Sequence, residues 1–529
     1  MTDADVTDDA PDRWFLTPEE RGNPFTKIDR EPHDDGRAWV AGNHAEVVVH
    51  GAHYFRRLYD ELCALKNGDR VFFTDWCGDA DQLLLDDGTE IGDVLADLAR
   101  KGVEVRGLLW RSHSRRLSYN AQDNEHLGTR VNAAGGEVLL DQRVRTFGSH
   151  HQKLFVIRHQ DEPQKDVAYV GGIDLCHSRR DDEHHGGDPQ VMPMDPRYGE
   201  TPPWHDAVLE LRGPVVGDLL RTFVERWDDD TPLDRRTPYR MLIQRREHMP
   251  RHPEDLPEAF PDPPAQGEVA VQLLRTFARK RPHFPFAPDG ERSVARGYAK
   301  AFAQARSLIY IEDQYLWSVE VARNLAEALE REPDLRVIAV VPRYPDADDR
   351  WNGPPNRIAQ LDAIDVLRGA GGDRFAVYDL VNAHGTPIYV HAKVCIVDDL
   401  WLTCGSDNFN LRSWTTDTEL TCAVIDGERD EREPRDLTRH GDGARRLPRD
   451  VRLALWREHL GDGPSDDEML DPVSGFDAWT AAADRRDARV RHHRPDPVGR
   501  LTRLWARPVN RLMFDPDDRT RGDRANHRF

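Results

Sequence analysis

The chain has 529 residues, more than a single hydrophobic core usually serves, so we expect two domains or two fused halves. Hydrophobic residues make up 38% of it and charged residues 32%, and 73 basic against 95 acidic side chains give a net charge of −22. A field of this sign repels phosphate backbones, which argues against a general nucleic-acid coat protein, and no stretch approaches the roughly 20 apolar residues that span a bilayer.

The N-terminus and the cysteines indicate the cellular compartment of the protein. Residues 1–12 are acidic, which predicts disorder, and they lack the basic-then-apolar pattern of a signal peptide, so we expect a cytoplasmic protein. Six scattered cysteines include no C-x-x-C pair, so the sequence predicts neither a zinc site nor a disulfide scaffold. We interpret the cysteines as small buried apolar side chains.

In chain order, the first predicted elements are a strand over 71–76, a helix over 91–101 and a strand over 103–110. The same order returns with a strand over 308–315, a helix over 321–330 and a strand over 335–341. This β-α-β alternation favours an α/β fold with mostly parallel or mixed sheets, and its return indicates an internal duplication.

The duplication suggests five segments. A stretch rich in Pro and acidic residues separates the two halves and is typical of a linker, whereas the charged C-terminal region still contains an amphipathic piece over 451–460. The predicted segments are a partly disordered N-terminal extension (1–36), a first half (37–245), a linker (246–266), a second half (267–427) and a partly ordered C-terminal region (428–529).

The second half carries a polar constellation on predicted strands. His391 and Lys393 are two residues apart, so on a strand both would point to the same face. After a turn come Ser406 and Asn408, where a Gly-Ser backbone can approach an anion closely, and Glu419 then opens another apolar strand.

The first half carries the same constellation in the same order. His151 and Lys153 precede a glycine turn with Gly172 and Asp174, and Asp206 stands at the start of a later strand. One His-x-Lys pair carries little information, but two pairs with matched turns and carboxylates predict a shared site.

These motifs resemble the phospholipase D superfamily, whose signature is H-x-K-x-x-x-x-D followed by a Gly-Ser-x-Asn turn, occurring twice. The flanking stretches resemble the phosphatidylcholine-cleaving type, namely 150–153, 170–176, 203–206, 310–315 and 405–413. One position departs from the pattern: Asp398 completes the second motif, but Arg158 stands at that place in the first, with Asp161 or Asp166 as possible substitutes.

The resemblance implies a fold and a set of roles. Two α-β-α sandwich halves related by a pseudo-twofold would place the active site at their interface. His151 would be the nucleophile and His391 the general acid, with Asp206 and Glu419 orienting them. We expect each carboxylate to reach the histidine of its own half. The remaining implied groups are Lys153 and Lys393 on the phosphate oxygens and Gly172, Asp174, Ser406 and Asn408 around the phosphate.

These residue types suit phosphodiester chemistry. A neutral imidazole attacks the anionic diester without charge repulsion, and an imidazolium protonates the leaving alkoxide. Lysines offset the charge that builds on the phosphate oxygens. The expected reaction forms a phosphohistidine, which water or another alcohol then resolves, and it requires no metal or cofactor.

The predicted function is a phospholipase D-like phosphodiesterase that hydrolyses or transphosphatidylates glycerophospholipids. The alternatives are a nuclease of the same superfamily, a cardiolipin-synthase-like phosphatidyltransferase, and a non-catalytic lipid- or phosphate-binding protein. Expected partners are a phospholipid substrate and a transient peripheral membrane contact, without nucleic acid, and the chain is expected to be a monomer.

Two further clusters admit two interpretations each. His184 and His185 follow three acidic residues and could form a metal cluster, but adjacent side chains on a regular element diverge, so we favour a solvated loop. Arg111, Arg115 and Arg116 could contact lipid headgroups or form a solvated basic loop, and the sequence does not decide between these.

Overall fold

The computed structural model describes residues 9–29, 36–111, 121–234, 242, 250–346 and 353–529. They form an α/β fold, as the sequence predicts. The strands are β1 (Val40–Val49), β2 (Arg70–Asp75), β3 (Glu104–Trp110), β4 (Glu137–Asp141), β5 (Leu154–Arg158), β6 (Val167–Gly171), β7 (Trp204–His205), β8 (Ala207–Arg212), β9 (Val269–Phe277), β10 (Glu291–Arg292), β11 (Leu308–Glu312), β12 (Arg336–Val340), β13 (Phe375–Leu380), β14 (Tyr389–Val390), β15 (Val394–Val397), β16 (Trp401–Gly405), β17 (Glu419–Ile425) and β18 (Val490–His492).

The helices cover this sheet and its ends. They are α1 (Ala10–Trp14), α2 (Pro18–Arg21), α3 (Gly51–Cys63), α4 (Ile91–Arg100), α5 (Ala121–Asn132), α6 (Val215–Trp227), α7 (Ser293–Gln304), α8 (Val319–Arg331), α9 (Gly353–Gly371), α10 (Leu411–Thr415), α11 (Arg446–Leu460), α12 (Asp466–Leu470), α13 (Pro472–Asp484), α14 (Arg500–Val509) and α15 (Arg521–Ala525). A π-helical turn, Asn510–Phe514, follows α14. Among the described residues, no helix combines the length and the apolar character needed to cross a bilayer.

Strand order reveals the duplication. In the first half β2, β3 and β4 are parallel, and β2, β5, β6, β8 and β1 neighbour one another antiparallel. The second half repeats this order with β11, β12 and β13, then β11, β15, β16, β17 and β9. Because β1 also pairs with β9, the two halves share one continuous mixed sheet.

Apolar side chains pack on both faces of the sheet. On one face a single cluster runs through both halves, from Val156 and Leu209 to Ile396 and Val424, beneath helices α6 and α11. On the other face α3, α4 and α5 cover the first half and α7, α8 and α9 cover the second. Each half is therefore an α-β-α sandwich, and the shared cluster holds the halves against each other.

The segments outside the duplicated strands are more ordered than the sequence suggests. Residues 1–8 lie outside the described residues, but α1 begins at Ala10, and the buried Trp14 indole donates to Asp442 at 3.0 Å. Residues 250–266 of the predicted linker contain no helix or strand, yet the Glu254 carbonyl accepts from Trp227 Nε1 at 2.7 Å. In the C-terminal region α11 follows β17 as α6 follows β8, so this helix extends the repeat. The predicted segment boundaries stay predictions.

Candidate active site

Both motif histidines line one cavity of about 230 Å³ between the halves. His151 and His391 come from the segments that lead into β5 and β15. Trp76 lies edge-on to His151 with ring centroids 6.3 Å apart, and the Trp204 ring lies 5.0 Å from that of His391. The structure thus brings the two motifs, which are distant in sequence, to one enclosed place.

The sequence predicts the His-x-Lys pairs on strands, and this detail is wrong. The β5 and β15 ladders begin only after the lysines, and the backbone of each motif turns toward the other half. The His391 N–H donates to the His205 carbonyl at 2.7 Å rather than into the sheet. Each lysine then folds back onto its own motif: Lys153 Nζ donates to the His151 carbonyl at 3.1 Å, and Lys393 Nζ to the His391 carbonyl at 2.5 Å.

Each orienting carboxylate contacts the histidine of the other half, an arrangement that we call crossed. His151 Nδ1 lies 3.0 Å from Glu419 Oε2, and His391 Nδ1 lies 2.7 Å from Asp206 Oδ2. The expectation that each carboxylate reaches the histidine of its own half is therefore wrong. Both carboxylates point to the imidazoles, as predicted, but each serves the opposite half.

Two short parallel pairings across the interface cause this exchange. Strand β7, which precedes Asp206, pairs in parallel with β14, which precedes His391. On the other side His150 forms a parallel bridge with Thr418, and the His151 N–H donates to the Thr418 carbonyl at 2.9 Å. His391 is thereby placed beside Asp206, which follows β7, and His151 is placed beside Glu419, which follows Thr418.

Ser406 completes the environment of Glu419. The Leu420 N–H donates to Ser406 Oγ at 3.0 Å, so the hydroxyl proton is free to be donated to Glu419 Oε2 at 2.6 Å. Glu419 Oε2 also lies 3.0 Å from His151 Nδ1, and an Nδ1–H donated to this oxygen would leave the lone pair of His151 on Nε2. The structure therefore places Ser406 behind Glu419; its predicted contact with phosphate stays a prediction.

Gly172 and Trp204 shape the place of Asp206. A Cβ at Gly172 would lie 2.2 Å from Asp206 Oδ1, so only glycine lets the carboxylate pass this backbone. Trp204 Nε1 donates to Asp206 Oδ2 at 3.2 Å, and Asp206 is fully buried. The glycine turn thus acts on the histidine of the other half through Asp206.

The electrostatic environment keeps both imidazoles neutral. Burial, assisted by Lys153 and Lys393, holds the pKa of His151 well below its usual range, and burial with Lys393 lowers the pKa of His391 to about 3. The carboxylates differ from each other: burial raises the pKa of Glu419 to about 8, whereas the pKa of Asp206 is lowered despite its burial, because contacts with His391 and Lys393 favour its anionic form.

Asp174 and Asn408, the predicted turn residues, both line the cavity. Asp174 Oδ1 lies 3.2 Å from Lys153 Nζ, and this pair is buried. Among the described residues Asn408 Oδ1 is a buried oxygen without a hydrogen-bond partner. An amide aimed into the cavity with an unused oxygen is available to a ligand.

Arg158, the departure in the first motif, is a buried structural residue. Its Nε lies 2.6 Å from Asp166 Oδ2, and both side chains are nearly fully buried. Asp398, its counterpart, instead accepts the backbone N–H groups of residues 306–308 at the start of β11. Asp166 therefore neutralises Arg158 but does not take over the contacts that Asp398 makes.

Several site residues lie outside the motifs. Asp313 accepts the Phe409 N–H at 2.9 Å, and Asp75 accepts the Leu175 N–H at 3.3 Å, so each ties a strand end to the glycine turn of its half. Gln314 lines the cavity and donates to the Tyr389 hydroxyl at 2.7 Å. The polar ends of predicted strands were the available signal for these residues.

A second cavity of about 1190 Å³ adjoins the first and shares Trp76, Met192, Met194 and Tyr315 with it. Its further apolar lining includes Trp317 and Phe514. Together the cavities lead from a wide, largely apolar space to the two histidines.

Two other predictions concern basic and histidine clusters. Arg111 is buried, and Arg115 and Arg116 lie outside the described residues. The solvated-loop interpretation holds for His184, which is exposed, but it is wrong for His185, which is fully buried against residues distant in sequence. Of the six cysteines, Cys63 is exposed and the other five are buried, as expected.

Two family models match the chain. Residues 65–322 match the model described as "Phospholipase D", and residues 298–432 match the one described as "Cardiolipin synthase, PLD-like domain". Together they cover both motif pairs and both carboxylates.

Curated relatives and solved structures give more distant similarities. "Phospholipase D alpha 1" of Arabidopsis thaliana is 24% identical across 76% of this chain and 63% of its own length. "Phospholipase D alpha 2" of Oryza sativa subsp. japonica is 25% identical across 81% of this chain and 66% of its own length. The chain thus spans less than two thirds of these relatives. Phosphatidylserine synthase of Haemophilus influenzae Rd KW20 is 16% identical with a TM-score of 0.48, across 73% of this chain and 84% of that structure.

Proposed function

We propose that this chain, which belongs to the phospholipase D superfamily, is a phosphodiesterase that cleaves phosphatidyl esters to phosphatidate and a free headgroup alcohol. The observation that carries the proposal is the convergence of His151 and His391 on one cavity, each with a buried carboxylate on its Nδ1. The steps below follow from that arrangement.

In the first step His151 Nε2 attacks the phosphorus atom, and the bond from phosphorus to the headgroup oxygen breaks. The electron pair leaves with that oxygen, and protonated His391 supplies its proton. The products are a phosphatidyl-histidine and the free alcohol. The Lys153 and Lys393 ammonium groups lie beside the histidine carbonyls, where they favour the charge that develops on the phosphate oxygens.

In the second step water attacks the phosphorus atom and His391 takes its proton. The P–N bond breaks, phosphatidate leaves, and His151 is restored. If another alcohol attacks instead of water, the product is a new phosphatidyl ester, and His391 again takes the proton.

The environments of the carboxylates support this assignment of roles. Asp206 keeps its negative charge beside His391, which stabilises an imidazolium there once the anionic phosphate is bound. Glu419, with its pKa raised to about 8, stabilises a cationic imidazole at His151 less. Environments that separate the two sites in this way suit an acid at His391 and a neutral nucleophile at His151.

A lipid substrate is favoured over nucleic acid by the larger cavity. Its apolar lining, with Trp76, Trp317 and Phe514, suits an acyl chain, and its polar lining has four carboxylates against two arginines, a balance that disfavours a polyanionic strand. A net charge of −22 acts in the same direction.

Transfer to a second alcohol is the other candidate activity. The match of residues 298–432 to the cardiolipin synthase family model favours it, because that chemistry uses the same covalent intermediate with a different acceptor. Hydrolysis and transfer are distinguished by their products.

The proposed peripheral membrane contact is helix α14 with the π-helical turn after it. This segment exposes four large apolar side chains, and Phe514 at its end lines the larger cavity. The exposed apolar side chains are Leu501, Leu504, Leu512 and Met513, and the arginines beside and between them are Arg500, Arg503, Arg507 and Arg511. Apolar and basic residues interleaved on one helix are typical of segments that lie in the headgroup region of a bilayer.

The test incubates the full chain with vesicles of phosphatidylcholine, phosphatidylethanolamine or phosphatidylglycerol, and separately with plasmid DNA, each with and without ethanol. We expect phosphatidate without ethanol and phosphatidylethanol with it. An acid-labile, base-stable phosphatidyl adduct should form in the wild type and be absent in His151→Ala. Cleavage of DNA with intact lipids, or turnover without an adduct on His151, would contradict the proposal.

A further inference from the structure

A second buried cluster lies directly behind Asp206. His50, His185 and His205 are almost completely buried, and Glu458 joins them from helix α11. His50 precedes α3, His185 lies in the loop between β6 and β7, and His205 ends β7. None of these side chains takes part in the proposed reaction.

The four side chains point at one another. Glu458 Oε2 lies 3.0 Å from His50 Nε2, and Glu458 Oε1 lies 3.0 Å from His185 Nε2 and 3.3 Å from His205 Nδ1. One ligand atom from each residue lies within 4.8 Å of all the others. Ligand atoms about 2.0–2.1 Å from a tetrahedral ion are separated from each other by about 3.3 Å, which is close to the distances here.

The outer hydrogen bonds of His185 and His205 leave one ring nitrogen of each facing Glu458. His185 Nδ1 lies 3.0 Å from the Trp204 carbonyl, and because a carbonyl only accepts, Nδ1 carries the proton and Nε2 the lone pair. His205 Nε2 lies 2.8 Å from Glu312 Oε2 and donates to that carboxylate, so Nδ1 is the ring nitrogen that faces Glu458. Among the described residues His205 Nδ1 has no hydrogen-bond partner.

The lone pair of His185 Nε2 therefore faces Glu458 Oε1, and His205 Nδ1 faces the same oxygen. Acceptors facing an acceptor at this separation repel one another unless a cation lies between them. We propose that His50, His185, His205 and Glu458 together bind one divalent transition-metal ion of the zinc class. Three imidazole nitrogens and one carboxylate form a borderline-soft donor set that suits this class, and four protein ligands make a closed, structural site.

The neighbouring carboxylate Glu312 is an outer-shell group rather than a ligand. It accepts from the Tyr310 hydroxyl at 2.6 Å, from His205 Nε2 at 2.8 Å and from His459 Nε2 at 2.7 Å. A carboxylate with three donors needs no further cation. Glu312 instead fixes the tautomer of His205, as carboxylates behind metal-binding histidines commonly do.

An ion at this place would position Asp206 without contacting the substrate. His205 is flanked by Trp204 and Asp206, and its carbonyl accepts the His391 N–H at 2.7 Å. An ion on His205 and Glu458 would fasten β7 to α11 and to the start of α3, and so hold Asp206 against His391. The ion would touch neither substrate nor reacting atoms, so this inference does not depend on the proposed function.

The first test measures the metal content of the untagged full chain by mass spectrometry after dialysis into metal-free buffer. The variants are His185→Gln and its matched control His184→Gln, an exposed neighbour in the same loop. We expect about one zinc-class ion per chain in the wild type and in the control, and less than a tenth of that in His185→Gln. Cobalt(II) reconstitution should give the strong visible absorption of a tetrahedral ion with nitrogen and oxygen ligands, and His185→Gln should lack it.

A second measurement uses only the wild type, so it still tests the proposal if His185→Gln fails to fold. The wild type is melted before and after prolonged exposure to a strong chelator at elevated temperature. We expect the Tm to fall by about 5 °C or more and to return on adding zinc. If the wild type contains no bound metal, takes up no zinc or cobalt, and melts at one temperature throughout, protons rather than a metal join these side chains and the proposal is overturned. Equal metal content in His185→Gln and the wild type would also overturn it.

Discussion

At the scale of single residues, the two halves of the site have similar side chains in different electrostatic states. Asp206 keeps a lowered pKa beside His391, while burial raises the pKa of Glu419 beside His151 to about 8. Under the proposed function, one near-symmetric set of residues would serve two tasks, and the surroundings of each carboxylate would distinguish them.

This difference predicts how the two histidine variants depend on the leaving group. His151→Ala and His391→Ala should each lower turnover of a choline ester by about 10³ or more, because the two residues act as one unit. A p-nitrophenyl ester leaves without protonation, so it should restore much of the activity of His391→Ala and none of that of His151→Ala. Comparing kcat for both esters checks this, with His184→Ala as the control. Rescue of His151→Ala instead would reverse the assigned roles.

The raised pKa of Glu419 predicts a pH dependence of stability. The unfolded carboxyl ionises near pH 4.5 while the folded one stays protonated to about pH 8, so its contribution to stability is present below pH 4.5 and is lost as pH rises through that window. Glu419→Gln removes the titrating group but keeps an acceptor for His151. Denaturant unfolding at pH 5 and pH 8.5 should show a smaller loss of stability in the variant, and parallel loss in both proteins would contradict the shift.

The burial of Arg158 predicts what happens when this position is changed to Asp, the residue of the H-x-K-x-x-x-x-D signature. The substitution Arg158→Asp would place a second buried carboxylate beside Asp166 and remove its cation. We expect destabilisation of about 3–5 kcal/mol rather than a gain, because a buried charge is left unpaired. Denaturant unfolding measures this, with Arg158→Lys as the control that keeps the charge. A stabilised Arg158→Asp variant would mean that the Arg158–Asp166 pair is dispensable.

At the scale of elements, the short parallel pairing of β7 with β14 decides which carboxylate serves which histidine. The two strands are only two residues long, yet they carry Asp206 past Gly172 to His391. This two-residue pairing between the halves therefore determines which carboxylate contacts His391, whereas the long ladders within each half do not.

Because Asp206 contacts His391 and Glu419 contacts His151, we can predict which carboxylate variant the p-nitrophenyl ester rescues. Pairing within each half would predict the opposite result. Asp206→Asn should lower kcat on the choline ester by a factor on the order of 10² to 10⁴, because an imidazolium at His391 loses its counter-charge. It should resemble His391→Ala in being partly rescued by the p-nitrophenyl ester, while Glu419→Gln should not be rescued. If Glu419→Gln were the rescued variant, the crossed contacts would not govern the reaction.

At the scale of the whole molecule, the chain combines a net charge of −22 with one basic, apolar helix beside the larger cavity. An acidic body is repelled by anionic lipid surfaces, so contact through a local segment would orient the cavity toward the bilayer. Only Ala506 of α14 is buried in the fold, so the exposed leucines of this helix are available for such a contact.

Exposed leucines of α14 predict the strength of vesicle binding. Leu501 and Leu504 are 82% and 74% exposed. Leu501→Asp with Leu504→Asp should weaken vesicle binding by about 10-fold or more, because burying each leucine in lipid is worth about 1.5–3 kcal/mol. Vesicle sedimentation and hydrolysis of a short-chain soluble ester check this. The control is Val473→Asp on α13, and equal vesicle binding by all three proteins would exclude α14 as the contact.

The duplication, the α/β class and the identity of the paired motifs are all predictable from the amino-acid sequence. This is possible because local patterns carry this information: strand and helix periodicities, and polar residues that recur at the same places in both halves. Asp206 and Glu419 were identifiable for the same reason, since each follows its motif at the start of a strand.

How those residues contact one another depends on the packing of the folded halves. The crossing of Asp206 to His391 and the meeting of His185 with Glu458 depend on contacts between residues that are 185 and 273 positions apart in the chain. Such contacts leave no periodic trace in the chain, because they arise where two folded halves pack against each other. The near-symmetry of the halves also makes the two pairings of histidine with carboxylate equivalent in sequence, and the geometry of the interface alone selects one.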